Sequence, residues 1–169
     1  MHIRRGDFHD QFADSISDAE FLVQSSEHIL EKQGSKTLYI ATDEMNTTYF
    51  TPFNDKYQLF FLGDFMHLLE DVNSSYYPFL DQLISARGEV FFGTQSSTFT
   101  AYINRVRGYY SWRDKLEMHE GGGIKSYYFS PEEWKKLHEK YFAIEPPVWA
   151  YEFPEGWYDI DKDIENFKE

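Results

Sequence analysis

Two adjacent arginines stand near the start of the chain, in the stretch "HIRRGDF". A guanidinium presents a planar fork of N–H donors that matches phosphate oxygens, so Arg4 and Arg5 are candidates for holding a phosphorylated ligand. A second stretch, "GTQSSTF", places Ser97 and Thr98 just before an apolar helical pattern. The free N–H groups of a helix start, together with hydroxyls, also bind anions. The two stretches therefore predict a clamp for a diphosphate, provided that the fold brings them together.

Each of these features also has a purely structural interpretation. The arginines can form salt bridges on a solvated face, with Asp7 and Asp10 as nearby partners. Serine and threonine before a helix act first of all as N-caps, and Thr42 or Asp43 in "ATDE" can cap a helix in the same way. What favours a functional site is the position of all three stretches directly after predicted strands.

The elements that must position these residues follow an α/β pattern. Short apolar, β-branched or aromatic runs alternate with longer segments of helical period, which indicates a Rossmann-like parallel sheet with flanking helices. The predicted strands are "MHIRR", "TLYIATD", "YQLFFLGD" and "EVFFG". Ligands of such sheets bind beyond the carboxyl ends of the strands. The segments after the first, second and fourth strands should therefore meet at one edge.

Capping residues indicate the helix boundaries. In "SDAEFLVQSSEHILEKQG", Ser17 and Glu20 form a capping box and Gly34 is a stop signal. "SSYYPFLDQLISARG" predicts the next helix, with Pro78 in its first turn, and "TQSSTFTAYINRVRG" predicts a helix after the fourth strand. A last capped helix is predicted in "SPEEWKKLHEKYF".

The length of 169 residues suits one domain with a tail. We assign residues 1–145 to the Rossmann-like domain. Residues 146–169 form an aromatic, acidic segment that should pack partly on this domain, because its rings are costly to leave in water.

The composition narrows the class of ligand. Acidic residues outnumber basic ones 29 to 16, which gives a formal net charge of -13. This charge repels nucleic acid and anionic membranes, and no apolar run approaches the roughly 20 residues that span a bilayer. The chain has no cysteine and its histidines lack metal-ligand spacing, so we predict neither a disulfide nor a metal site. An anionic ligand must be held by a local cluster of positive charge.

Three stretches resemble, in order along the chain, segments of a known enzyme family. "HIRRGDF" resembles the His-x-Arg-Arg-x-Asp motif of the GDP-fucose-dependent fucosyltransferases, which include the protein O-fucosyltransferases. "LYIATDE" is similar to the middle segment of that family, and "EVFFGTQSSTFTAYINRVRG" looks like its later segment. The resemblance runs from His2 to about Arg107 and fades in the remaining third of the chain.

The resemblance implies roles for the residues of the first motif. Arg4 would bind the β-phosphate and ease the departure of GDP, while Arg5 would support the geometry of the motif. His2 would lie near the donor. The general base is left open, with Asp7, a residue of another domain, the substrate and a water chain as alternatives.

The later segment implies further contacts with the donor. Ser97, Thr98 and Phe99 match the part of the family that holds the diphosphate and some of the nucleotide. Glu89 stands where the family usually has an aspartate that contacts guanine, and its longer carboxylate can still accept from the guanine N–H edge.

The family implies an activity and a larger architecture. Its members transfer fucose from GDP-fucose to a protein or glycan hydroxyl, with inversion and without a metal or other cofactor. They are two-domain enzymes of GT-B type, and this chain matches the donor-binding half, so an acceptor-binding domain is an expected partner. A full-length enzyme of this kind would lie in the endoplasmic reticulum or Golgi lumen.

Two other functions are consistent with the same residues. The chain could be a non-catalytic module that binds a nucleotide sugar or another partner. It could also be a structural α/β domain whose arginines only form salt bridges.

Overall fold

The computed structural model describes residues 1–6, 18–94, 97–114 and 125–129. Within these residues the paired strands are parallel and helices cover both faces of the sheet, which confirms the predicted α/β class. The predicted helix in "SPEEWKKLHEKYF" and the segment 146–169 lie outside the described residues.

The observed elements follow the predicted order, with the predicted strand "TLYIATD" divided into two and one strand added after the last described helix. The strands are β1 (His2–Ile3), β2 (Thr37–Tyr39), β3 (Ala41–Thr42), β4 (Gln58–Phe60), β5 (Phe91–Thr94) and β6 (Ser126–Phe129). The helices are α1 (Ala19–Gln33), α2 (Thr51–Asn54), α3 (Tyr77–Arg87) and α4 (Thr98–Asp114). Turns of 3-10 helix span Thr47–Phe50, Leu62–Leu68 and Ser74–Tyr76. Strand β6 was not predicted from the sequence.

The strands form a continuous parallel array across the described residues. One sheet has the order β3-β1-β5-β6, and β2 pairs with β4. The backbone joins the two sheets, because the Ile40 N–H donates to the Phe60 carbonyl at 2.8 Å and the Ala41 N–H donates to the Met1 carbonyl at 2.9 Å. The strands that follow β1 in the chain, up to β4, therefore lie on one side of β1. Strands β5 and β6 lie on its other side. The boundary between β1 and β5 is the topological switch point, where ligands of such sheets bind.

Helix α1 has the termination that the sequence predicts and a different cap. Its N-cap is Asp18, whose carboxylate accepts from the Phe21 N–H at 2.7 Å, rather than the predicted Ser17, which lies outside the described residues. Gly34 ends the helix with a φ of 70°, in the left-handed region that glycine enters without a Cβ penalty. In helix α3, Pro78 lies in the first turn as predicted.

The two faces of the sheet pack against different helices. On one face α1 and α2 contribute to the larger core cluster, with Leu22, Phe53 and Phe92 among its buried members. On the other face α3 and α4 cover a smaller cluster of buried residues that contains Phe91 and Ile103. Phe91 and Phe92 point to opposite faces because side chains alternate along a strand. All of β5 is buried, so this strand is the centre of the fold.

A buried arginine in α4 is hydrogen-bonded to β6, the edge strand next to β5. Arg107 in α4 is only 1% exposed, and its Nε–H donates to the Ser126 hydroxyl in β6 at 2.9 Å. Its remaining N–H groups donate to the backbone carbonyls of Ala86, Gly88, Glu89 and Lys125. These bonds join the end of α3, the approach to β5 and the start of β6, which fixes α4 against the sheet.

Candidate functional site

The segments that follow β1, β3 and β5 meet at the carboxyl edge of the sheet. His2 is in register with Ala41 on one side and Gly93 on the other, so the three parallel strands end side by side. The Arg4 backbone N–H donates to the Thr94 hydroxyl at 2.9 Å, and that hydroxyl donates to the His2 carbonyl at 3.3 Å. The first residues beyond β1 are thereby anchored to the end of β5.

The two arginines pair with the two carboxylates that follow β3. Nη1 of Arg4 lies 3.2 Å from Oδ2 of Asp43, and Nη1 of Arg5 lies 2.9 Å from Oε2 of Glu44. Oδ1 of Asp43 also accepts from the Arg5 backbone N–H at 2.8 Å. The "ATDE" stretch therefore holds the arginine pair by direct contacts, in addition to sharing its edge of the sheet.

The salt-bridge interpretation of the arginines is thus realised, but with partners distant in sequence. The nearby candidates Asp7 and Asp10 lie outside the described residues. Two positive and two negative side chains meet here, so the local charge that a phosphate encounters depends on how each guanidinium is oriented.

The two guanidinium groups have different surroundings. The Arg5 guanidinium stacks 3.7 Å from the centroid of the Tyr49 ring, and its Nε is buried without a hydrogen-bond partner among the described residues. The Arg4 side chain is 33% exposed, against 24% for Arg5. The packing of Arg5 on an aromatic ring agrees with a supporting role, and Arg4 is the arginine with more solvent contact at this edge.

His2 is a packed residue that links β1 to the start of α4. It is 3% exposed, its ring stacks on Phe99 with centroids 4.5 Å apart, and Nδ1 is hydrogen-bonded to the Thr100 hydroxyl at 2.7 Å. Burial lowers the pKa of His2 to about 3, and the positive chain terminus and Arg4 act in the same direction. The imidazole is therefore neutral near pH 7 and serves here to hold Phe99 and Thr100.

The start of α4 points its free N–H groups toward this edge. Ser97 is buried, its N–H donates to the Thr94 carbonyl at 3.4 Å, and its own carbonyl accepts from the Ala101 N–H at 3.0 Å. Ser97 thus occupies the N-cap position, while Thr98 is exposed and Phe99 is partly buried. The N–H groups of a first helical turn have no partner within the helix, and they carry the positive end of its dipole.

Two glycines allow the close approaches that form the site. A Cβ on Gly93 would collide with the Thr100 side chain, so α4 lies directly against the end of β5. A Cβ on Gly6 would collide with the Asp43 carboxylate, which fills the space beneath the turn after Arg5. Neither glycine has a positive φ, so the backbone conformation does not require glycine at these positions. The close contacts require it, because a larger residue would not fit.

The structure brings together six of the seven residues that the sequence predicts for the site: His2, Arg4, Arg5, Ser97, Thr98 and Phe99. Glu89 is not among them. It precedes β5 at the opposite, amino end of the sheet, where its carboxylate is hydrogen-bonded to Gln33 and lies 3.5 Å from the Lys125 ammonium. Its contact with guanine stays a prediction that this position does not favour.

Sequence reasoning missed several residues that organise the site. Thr94, Thr100 and Tyr49 act through contacts distant in sequence, and Glu44 pairs with Arg5. Thr94 and Glu44 lie in the stretches "GTQSSTF" and "ATDE", so their positions after predicted strands were a signal. Thr100 and Tyr49 belong to ordinary helical patterns.

A separate cleft does not coincide with this site. This cleft of about 700 Å³ lies between α1 and the segment 47–56, and its charged lining residues are Asp18, Glu20, Glu27, Asp55 and Lys56. Four carboxylates against one ammonium make this cleft unsuitable for a diphosphate. The carboxyl edge, with its arginines and helix start, is the better candidate for an anion.

No group of three or more histidine or acidic side chains among the described residues is arranged to hold a metal ion. None of the helices in this part of the chain combines the length and apolar character needed to cross a membrane.

The parallel sheet, the helices on both of its faces and the switch point between β1 and β5 together define a Rossmann-like α/β domain. The family model described as GDP-fucose protein O-fucosyltransferase matches residues 4–110, which is well over half of the chain. The chain therefore belongs to the GDP-fucose protein O-fucosyltransferase family. The match includes the arginine pair, the acidic pair after β3 and the start of α4. No curated protein matches the chain.

Proposed function

We propose that this domain binds GDP-fucose at the carboxyl edge between β1 and β5 and serves in the transfer of fucose to an acceptor hydroxyl. The acceptor would be a protein serine or threonine, or a glycan. The observation that carries the proposal is the position of Arg4, whose backbone N–H is hydrogen-bonded to Thr94 at the end of β5, at the topological switch point of the sheet and on the edge where α4 begins.

The diphosphate would lie between Arg4 and the first turn of α4. A guanidinium fork and free helix N–H groups are complementary to phosphate oxygens from two directions. Ser97 and Thr98 add hydroxyl groups to this clamp, and Phe99, held by the buried His2, offers part of an aromatic face to the nucleotide. Arg5 would not contact the diphosphate; it would hold the turn after β1 in place through its contacts with Glu44 and Tyr49.

The proposed chemistry is an inverting displacement. The acceptor oxygen forms a bond to the anomeric carbon of fucose while the bond from that carbon to the β-phosphate oxygen breaks. GDP leaves with the bonding electron pair, and the acceptor hydroxyl proton passes to a base. Arg4 would stabilise the negative charge that grows on the β-phosphate. This arginine would supply the charge stabilisation that a divalent cation provides in other enzymes, which makes the proposed reaction metal-independent.

The wider architecture is proposed from family membership. The domain would be the donor-binding half of a two-domain enzyme of GT-B type, with an acceptor-binding domain as its partner. The full enzyme would act in fucose metabolism within the endoplasmic reticulum or Golgi lumen.

A time course of GDP release from GDP-fucose tests this function. The chain alone should hydrolyse GDP-fucose slowly, in the presence of a chelator as well as without it, because positioning of the acceptor normally supplies about 7–11 kcal/mol of the barrier reduction. Arg4→Ala should reduce GDP release further. Binding of GDP-fucose without any GDP release, with or without an acceptor, would instead support a non-catalytic nucleotide-sugar-binding module. Failure to bind GDP-fucose at millimolar concentrations would overturn both functions.

A further inference from the structure

We propose that Asp43 is a positioning residue for the donor diphosphate: it holds the Arg4 guanidinium and the backbone of the Arg4–Gly6 turn in the geometry that receives the β-phosphate. This role rests on the proposed function. Asp43 would not touch the substrate and would act through Arg4.

The contacts of Asp43 reach both parts of the turn. One carboxylate oxygen, Oδ2, lies 3.2 Å from Nη1 of Arg4, and the other, Oδ1, accepts from the Arg5 backbone N–H at 2.8 Å. Asp43 thus contacts both the Arg4 guanidinium and the peptide that follows it, and the two contacts constrain their geometry. Asp43 itself follows β3, which is paired in register with β1, so its backbone position is set by the sheet.

The space around Asp43 provides an independent geometric observation. A Cβ on Gly6 would collide with the Asp43 carboxylate and could be accommodated only if that carboxylate moved. The carboxylate is held by two contacts, so such a shift would disturb both of them. The absence of a side chain at position 6 is therefore what allows Asp43 to lie under the turn.

A purely electrostatic view of Asp43 leads to the opposite expectation. A carboxylate beside a phosphate site repels the ligand, so its removal should tighten the binding of GDP. If Asp43 instead fixes Arg4, its removal should weaken the binding of GDP, because the ligand must then immobilise an arginine side chain that has lost this contact. That immobilisation corresponds to about a 2- to 12-fold loss of affinity. The sign of the change separates the two views.

Glu44 provides the matched control. Glu44→Gln removes the same charge from the neighbouring residue and leaves both Asp43 contacts in place, and its amide oxygen can still accept from Arg5. We expect Glu44→Gln to tighten the binding of GDP modestly, and Asp43→Asn to weaken it despite the equal change in charge.

The experiment is a calorimetric titration of GDP and GMP into the wild-type chain, Asp43→Asn, Glu44→Gln and Gly6→Ala, with folding checked by circular dichroism. Asp43→Asn should lose affinity for GDP by about 2- to 12-fold and leave affinity for GMP, which lacks the β-phosphate, nearly unchanged. Gly6→Ala should show the same selective loss without any change in charge.

The outcomes separate this inference from the proposed function. If the wild-type chain binds GDP and folded Asp43→Asn binds it equally or more tightly, the positioning role is wrong and the proposed function stands. An equal loss for GDP and GMP in both Asp43→Asn and Gly6→Ala would also contradict the role, because it would indicate a general structural defect. If the wild-type chain does not bind GDP, the proposed function fails and the inference falls with it.

Discussion

Replacing Gly93 with alanine should destabilise the fold by obstructing the contact between β5 and α4. The added Cβ would collide with the Thr100 methyl group, and it would lie 2.9 Å from the Thr100 hydroxyl and 3.0 Å from a ring carbon of Phe91. The helix cannot simply move away, since the Thr100 hydroxyl is bonded to His2 at 2.7 Å and Phe99 stacks on the same ring.

The expected magnitude follows from these contacts. Overpacking of a core site typically costs about 1–3 kcal/mol. Weakening of the buried hydrogen bond between Thr100 and His2 adds about 0.5–1.5 kcal/mol, and the greater strand preference of alanine recovers about 0.5–1 kcal/mol. We therefore expect Gly93→Ala to lower the free energy of unfolding by about 2 kcal/mol, within a range of about 0.5–4 kcal/mol. Urea unfolding followed by fluorescence measures this quantity.

A double-mutant cycle supplies the control. Thr100→Ala alone should cost about 1–2 kcal/mol, because the His2 ring nitrogen loses its partner. It also removes the two atoms that obstruct a Cβ on Gly93, so the double variant should be more stable than the sum of the single effects by at least about 1 kcal/mol. Effects that add to within about 0.5 kcal/mol would refute the close approach of α4 to β5.

Three further predictions concern single residues. Because burial lowers the pKa of folded His2 to about 3 from the ordinary 6.5, the unfolded chain binds the proton first, and stability should fall as the pH drops from 6.5 toward 3. His2→Asn should remove this component in pH-dependent unfolding, whereas the exposed His28→Asn should retain it. Arg107→Met should lower the free energy of unfolding by about 3–5 kcal/mol, since it strands buried carbonyls, and the exposed Arg87→Met should cost less than about 1 kcal/mol. Glu89→Gln should leave the preference for GDP over ADP unchanged in competition titrations, because Glu89 lies at the amino end of the sheet. A loss of that preference would show that Glu89 contacts guanine after all.

The edge of the sheet could be predicted from the sequence because parallel strands impose it. Once "HIRR", "IATD" and "VFFG" are identified as strands of one parallel sheet, the residues after them must lie at the same end. That inference needs only local patterns, and it placed Arg4, Asp43 and Ser97 at a common edge.

The partners of the arginines could not be predicted in this way. Sequence reasoning favours near neighbours, so Asp7 and Asp10 were the natural candidates for Arg4 and Arg5. The observed contacts of Arg4 and Arg5 with Asp43 span almost forty positions and depend on the register between β1 and β3. Register follows from the hydrophobic pattern of a strand, and β1 and β3 pair over only two residues each, which is too short a pattern to specify it.

Glu89 and β6 show two further limits. The predicted strand "EVFFG" begins with Glu89, whose contact with guanine was implied by the resemblance alone, and its five-residue separation from Thr94 corresponds to about 16 Å of extended chain. The strand in "SYYF" is four residues long and follows a glycine-rich stretch, so its pattern is too short to stand out. It is stabilised by pairing with β5 and by the buried Arg107, which are both tertiary contacts.

The most direct test of a diphosphate site at Arg4 is a calorimetric titration of GDP into the wild-type chain, Arg4→Lys and Arg4→Ala, each shown to be folded. We predict the order of affinity wild type, then Arg4→Lys, then Arg4→Ala, because both variants lose the bidentate fork and only alanine also loses the charge. The same variants should differ much less in their affinity for GMP. Equal affinity of folded Arg4→Ala and the wild-type chain for GDP would contradict the assignment of the diphosphate to this edge of the sheet.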